Sequence, residues 1–91
     1  MIRKIIEVEN NLGLHARAAA KLVHMSSRFS SAIYLSREGY QQEIDCKSIL
    51  GVLMLGASKG TRLVVSISGA DEDEASNAIV RLFAGRFGEE L

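Results

Sequence analysis

The sequence predicts a two-layer α+β domain, with strands and helices in the order strand, helix, strand, strand, helix, strand, helix. Three observations predict it. The chain has 91 residues, enough for one hydrophobic core and no second one. Stretches of apolar residues at alternate positions are interleaved with stretches at helical spacing. Between them stand short clusters of glycine, asparagine, serine and charged residues, which are turn chemistry.

Ile2 to Glu9 alternates in part: Ile2, Ile6 and Val8 fall on one side, and Arg3, Glu7 and Glu9 on the other. This is a half-buried strand whose pattern Ile5 interrupts. Asn10-Asn11-Leu12-Gly13 ends it. From Ala16 to Phe29, Ala18, Leu22, Met25 and Phe29 recur at helical spacing, with Ala19, Val23 and Ser26 beside them. The small residues of the first turn let this amphipathic helix lie close to a sheet. Ala32 to Ser36 forms a second strand, with Ile33 and Leu35 inward and Tyr34 outward. Arg37-Glu38-Gly39 turns the chain, and Tyr40 to Cys46 returns as a third strand with Ile44 and Cys46 on one face. Ser48 is the expected N-cap of a short helix through Leu55 that Gly56 stops. After the connector Ala57-Ser58-Lys59-Gly60, Leu63, Val65 and Ile67 alternate with Val64, Ser66 and Ser68 in a fourth strand. The acids at 71–74 suit the positive end of a last helix, which buries Ala75, Ala78, Ile79, Leu82 and Phe83 and ends near Gly85. Residues 1–91 are therefore expected to form a single domain.

Composition narrows the function classes. Lysine plus arginine equals aspartate plus glutamate, so no net field points to nucleic acid or an anionic membrane. Aromatic residues for base stacking are absent from the strands apart from Tyr34 and Tyr40, which argues against an RNA-binding module. No apolar run approaches the roughly 20 residues that span a bilayer. The N-terminus reaches Glu7 too soon for a signal peptide, and the single Cys46 can form no internal disulfide, so a cytoplasmic location is expected. Cys46 and His24 read as a small core residue and a solvent-facing one. The acidic run at 71–74 reads as a solvated helix start, and no residue set is assigned to a metal or cofactor.

Chemistry concentrates in two stretches. In Gly13-Leu14-His15-Ala16-Arg17 an imidazole stands at a helix start, where backbone N–H groups lack intrahelical partners and the dipole favours an anion. The neutral imidazole is a nucleophile near pH 7, and Arg17, a planar multi-donor cation, could hold the oxygens of a phosphoryl group. A histidine that merely caps a helix fits the same residues. The second stretch is Lys47-Ser48-Ile49-Leu50-Gly51-Val52-Leu53-Met54-Leu55. Its apolar residues surround the whole helical wheel, so one sheet cannot bury them all and part of the helix is expected to face solvent as a docking patch. Phosphate on the Ser48 hydroxyl would stand beside that patch.

Gly-Leu-His-Ala-Arg at 13–17 and Lys-Ser-Ile-Leu-Gly-Val-Leu-Met-Leu at 47–55 resemble the two signatures of the HPr family, histidine-containing phosphocarriers of the bacterial phosphoenolpyruvate-dependent phosphotransferase system. The similarity continues through Lys59-Gly60 and Gly69-Ala70-Asp71-Glu72 and covers essentially the whole chain. The resemblance implies an open-faced β-sandwich, a four-stranded antiparallel sheet covered on one face by three helices. It implies a carrier without turnover of its own, in which His15 takes phosphate on Nδ1 from phosphorylated Enzyme I and passes it to sugar-specific IIA proteins. Arg17 matches the family's phosphate-stabilising arginine, and the amides of Ala16 and Arg17 would complete the anion site. Ser48 falls on the serine that HPr kinase/phosphorylase modifies in many bacteria, and Ile49, Leu50 and Leu53 fall on the partner-docking positions. The expected assembly is a monomer. Two other roles stay open: a phosphocarrier of the nitrogen-related branch, or a regulatory adaptor acting mainly through Ser48. One departure stands out: the family usually has proline directly after the arginine, and this chain has Ala18 and no proline anywhere. The loop after the second strand also reads as longer than in common members.

Overall fold

The computed structural model describes residues 1–89. Its elements are β1 (Ile2–Glu7), α1 (Ala16–Ser27), β2 (Ala32–Arg37), β3 (Ile44–Asp45), α2 (Ile49–Leu55), β4 (Arg62–Ser68) and α3 (Glu72–Ala84), followed by a tight turn at Arg86–Gly88. The strands form one antiparallel sheet in the order β1-β4-β2-β3.

Alternation decides which face of the sheet is covered. Leu63, Val65 and Ile67 of β4 and Ile33 and Leu35 of β2 are all fully buried. The register sets Ile33 opposite Ile67 and Leu35 opposite Val65, so these side chains share one face and pack as cross-strand pairs. The helices lie on that face and bury Ala18, Ala19 and Leu22 from α1, Val52 from α2, and Ala75, Ile79 and Phe83 from α3. Each large side chain so buried contributes about 1.5–3 kcal/mol of transfer free energy. The other face is open: Arg3, Ile5 and Tyr34 are exposed there, and Arg3 Nε donates to Ser66 Oγ at 3.3 Å. Ile5 breaks the polar pattern of β1 because it sits on this open face, opposite Val64.

Capping follows the residue types. Ser48 Oγ accepts from the Gly51 amide at 3.1 Å, and Gly56 closes α2 in the left-handed region at φ 60°. Asp71 stands at the N-cap of α3, but its carboxylate turns away from the helix to the backbone N–H groups of Ser30 and Ser31, at 2.9 and 3.0 Å. That ties the α1–β2 connection to the start of α3.

Four boundaries differ from the sequence reading, one of them by a single residue where β2 runs on to Arg37. β1 stops at Glu7, where Val8 turns to bond Thr61 outside the β1–β4 pairing. α1 stops at Ser27. The third strand is much shorter than Tyr40 to Cys46: only Ile44 and Asp45 pair, with Leu35 and Tyr34. Tyr40 to Glu43 carry no inward apolar residue and belong to an exposed loop. Cys46, buried as expected, lies just past β3, with its amide on Ile33 O at 2.9 Å.

Candidate functional site

The loop before α1 is shaped by one close approach. Gly13 has φ +66°, and a Cβ on it would lie 2.4 Å from Ala57 O and 2.8 Å from Ser58 Cα. Only glycine fits that backbone and that spacing. The Leu14 amide bonds Ala57 O at 2.8 Å, and the Leu14 side chain is buried. The loop is therefore pinned to the segment leaving α2, and the next residue, His15, is delivered to the N-cap of α1 in extended conformation.

The first intrahelical bond is Ala19 N–H to His15 O at 2.8 Å. The N–H groups of Ala16, Arg17 and Ala18 precede it and have no intrahelical acceptor. No acidic residue occupies the first turn, and the His15 side chain makes no cap bond, so the helix's own residues do not compensate its positive end. Ala16 and Arg17 are exposed. Among the described residues the Arg17 guanidinium takes part in no hydrogen bond or ion pair, which leaves it available to an incoming anion.

The His15 ring turns to the C-terminal segment. Its Nε2 pairs with Oε2 of Glu89, in side chains that are 27% and 12% exposed. Glu89 Oε1 accepts from Asn10 Nδ2 at 2.9 Å, and the same Asn10 amide donates to Gly13 O at 2.7 Å. The Asn10 amide first, and His15 second, hold the Glu89 carboxyl below the usual glutamate range. Beneath them Phe87 is buried edge-on against Phe83, with ring centroids 4.9 Å apart, and Lys21 Nζ of α1 donates to Phe87 O at 2.6 Å.

Sequence reasoning missed Asn10, Lys21 and Glu89. The second glycine at 88 signals a further turn after α3, but no spacing says that residue 89 returns to residue 15.

The second stretch also presents a surface. Ile49, Leu50, Leu53 and Met54 are 42%, 59%, 41% and 79% exposed, while Val52 is buried. The expected excess of apolar residues on α2 is therefore real. It adjoins the His15 loop, because Ala57 and Ser58 at the end of α2 are the residues Gly13 and Leu14 pack on. Ser48 is half-buried at the N-cap, and Lys47 Nζ donates to Phe29 O at 2.9 Å.

The weaker candidates fall apart from the site. His24 is exposed, and it stands in the last turn of α1, not in mid-helix. Burial, and then Asp45, push the Cys46 thiol far above its ordinary range, so it is an inert core group. Asp71 is lowered to about 2, chiefly by the Ser31 hydroxyl. Among the described residues no group of histidine, cysteine and acids could hold a metal ion.

Residues 2–85 match the family model described as "PTS HPr component phosphorylation site". The chain belongs to the HPr family. Phosphocarrier protein HPr of Xylella fastidiosa is 48% identical over 90 residues, covering 99% of this chain and 99% of the relative. Phosphocarrier protein NPr of Proteus mirabilis is 37% identical over 86 residues, covering 93% of each chain. Among solved structures, HPr of Thermoanaerobacter tengcongensis superposes with TM-score 0.93 at 43% identity over 100% of both chains. A dimer of HPr from the same organism gives TM-score 0.76 at 42% identity, covering 98% of this chain and 100% of that one. HPr proteins are phosphocarriers of the phosphotransferase system and not enzymes in their own right, and their open-faced sandwich is the fold described above. Among the described residues no helix is long and apolar enough to cross a membrane.

Proposed function

We propose that this HPr-family protein, acting as the single domain of residues 1–91, carries phosphate on His15, taken from phosphorylated Enzyme I and given to sugar-specific IIA proteins. The observation that carries this reading is an imidazole at the N-cap of α1, followed by three amides without an intrahelical acceptor and by an Arg17 guanidinium that, among the described residues, makes no hydrogen bond or ion pair. The helix end supplies a site for a dianionic product, so the nucleophile and its product share one place. Arg17 and the amides of Ala16 and Arg17 hold the phosphoryl oxygens. Ile49, Leu50 and Leu53 dock the partners, and their continuity with the His15 loop through Ala57 supports that role. Ser48 is the site of regulatory phosphorylation by HPr kinase/phosphorylase. A phosphate there would compete with its cap bond to Gly51 and change the charge at the edge of the apolar patch. The protein acts in the cytoplasm as a monomer of 9.9 kDa, which sedimentation tests directly.

Higher identity to HPr than to NPr relatives supports the sugar branch over the nitrogen branch. The deciding experiment is incubation with phosphoenolpyruvate and Enzyme I, followed by assay of acid-labile phosphate. Wild type is labelled and His15→Ala is not. Label that persists undiminished in His15→Ala overturns the reading. Were the protein mainly a Ser48 adaptor, His15→Ala would leave partner binding and phenotype normal.

A further inference from the structure

We propose that Glu89 is a positioning residue for His15: its carboxylate accepts from Nε2–H, fixes that tautomer, and leaves Nδ1 as the lone pair that takes phosphate. This rests on the reading of His15 as the phosphoryl acceptor.

The geometry carries it in three steps. An ionised carboxylate can only accept hydrogen bonds, and a neutral imidazole has one N–H and one lone pair. The pairing of Nε2 with Glu89 Oε2 therefore places the proton on Nε2 and the lone pair on Nδ1. Glu89 is itself fixed from the other side, because its second oxygen accepts from Asn10, which is tied to Gly13 O. Finally, the backbone spends conformational freedom to bring the carboxylate there. Arg86 and Phe87 both adopt left-handed φ, 55° and 56°, which non-glycine residues rarely do. Burial of Phe87 and the Lys21 bond to its carbonyl hold that turn. The charged group beside the pair is Lys21, which favours the carboxylate, and Arg17 stands in the first turn of α1, two residues after His15.

The transfer step balances. The Nδ1 lone pair attacks phosphorus on the phosphorylated donor protein and an N–P bond forms. The bond from phosphorus to the donor atom breaks, and its electron pair returns to the donor. Nε2 keeps its proton, so the ring gains a positive charge facing the negative carboxylate. Passing the phosphate onward reverses each change. The division of labour is that of a carboxylate orienting a histidine and stabilising its charged form.

The test uses phosphoramidate, a small donor that phosphorylates histidine without Enzyme I, on the full chain. His24→Gln is present in every arm, because the chain has two histidines and only His15 should report. The product isomers are resolved by phosphorus NMR. With Glu89 intact, phosphate enters at Nδ1. Glu89→Ala opens Nε2, and the Nε2 isomer becomes a substantial share of product. Glu89→Gln keeps an acceptor and restores Nδ1 selectivity. Transfer from Enzyme I to either variant slows by about 1.5- to 5-fold, the range for losing a partly exposed charged pair. Equal isomer ratios in Glu89→Ala and its parent, or a Glu89→Gln that behaves as Glu89→Ala, overturn the proposal. Failure of the His15 reading is a separate result: Enzyme I would then leave His15 unlabelled whatever stands at position 89.

Discussion

Replacing Gly13 by alanine would measure how strongly the close approach of the two loops places His15. The new methyl would meet Ala57 O at 2.4 Å and Ser58 Cα at 2.8 Å, both backbone atoms that cannot rotate away. Holding a non-glycine residue at φ +66° costs about 1–2 kcal/mol. Forcing a carbon into packed backbone costs about 1–3 kcal/mol more. The stiffer unfolded chain returns about 0.4–1 kcal/mol. The expected net loss is about 1–5 kcal/mol, which for a domain of this size lowers Tm by roughly 4–40 °C. Urea unfolding followed by circular dichroism reads it as a lower midpoint with unchanged slope. Amide shifts at Leu14, His15 and Ala57 should move together, and labelling by Enzyme I should slow by up to about 100-fold, the effect of displacing a reacting group by about 1 Å. A loss below about 0.5 kcal/mol, or labelling at the parental rate, would refute the argument that this contact positions the histidine.

Ala18→Pro should stabilise the protein by about 0.4–1 kcal/mol, because the amide it removes has no helical acceptor and the ring restricts the unfolded chain. A lower Tm would show instead that the buried site cannot take the ring. Ser48→Ala removes the cap on Gly51 and should cost about 0.5–2 kcal/mol in urea unfolding; no loss would show that water replaces the hydroxyl. Asp71 is lowered from 3.8 to about 2, so its contribution is complete above pH 3.8 and disappears as pH falls through 2. Asp71→Asn should therefore lower Tm at pH 6, and its deficit against the parent should shrink toward pH 2. A deficit independent of pH would assign the effect to shape and not to charge.

Legibility followed the range of the interactions. The two helices at 16–27 and 72–84 and the strand at 62–68 were plain in the sequence because each buries one face, and burial imposes a period. The cap at Ser48, the stop at Gly56 and the candidate stretch at 13–17 were plain because capping and dipole effects act within one turn. Tyr40 to Glu43 misled because an aromatic residue after a turn suggests a returning strand, whereas pairing needs an inward side chain and begins only at Ile44. Half of the candidate site was invisible for a different reason. The Asn10–Glu89–His15 chain joins residues about seventy-five positions apart through side-chain hydrogen bonds, and such bonds leave no period.

The strand order also governs when this molecule can exist. β1 and β2 do not pair with each other; β1 pairs only with β4, which begins at Arg62, and before β4 is made β2 has only the two-residue β3 as a partner. A nascent chain therefore has no more than the short β2–β3 pairing to form until β4 has been made, and β1 must wait unpaired for a partner encoded far downstream. Closing those long loops adds to the folding barrier, which places this mixed α/β domain below the helical bundles in folding rate. Folding should accordingly wait until β4 has been made. A ribosome-held fragment ending before residue 62 should remain as sensitive to protease as an unfolded peptide.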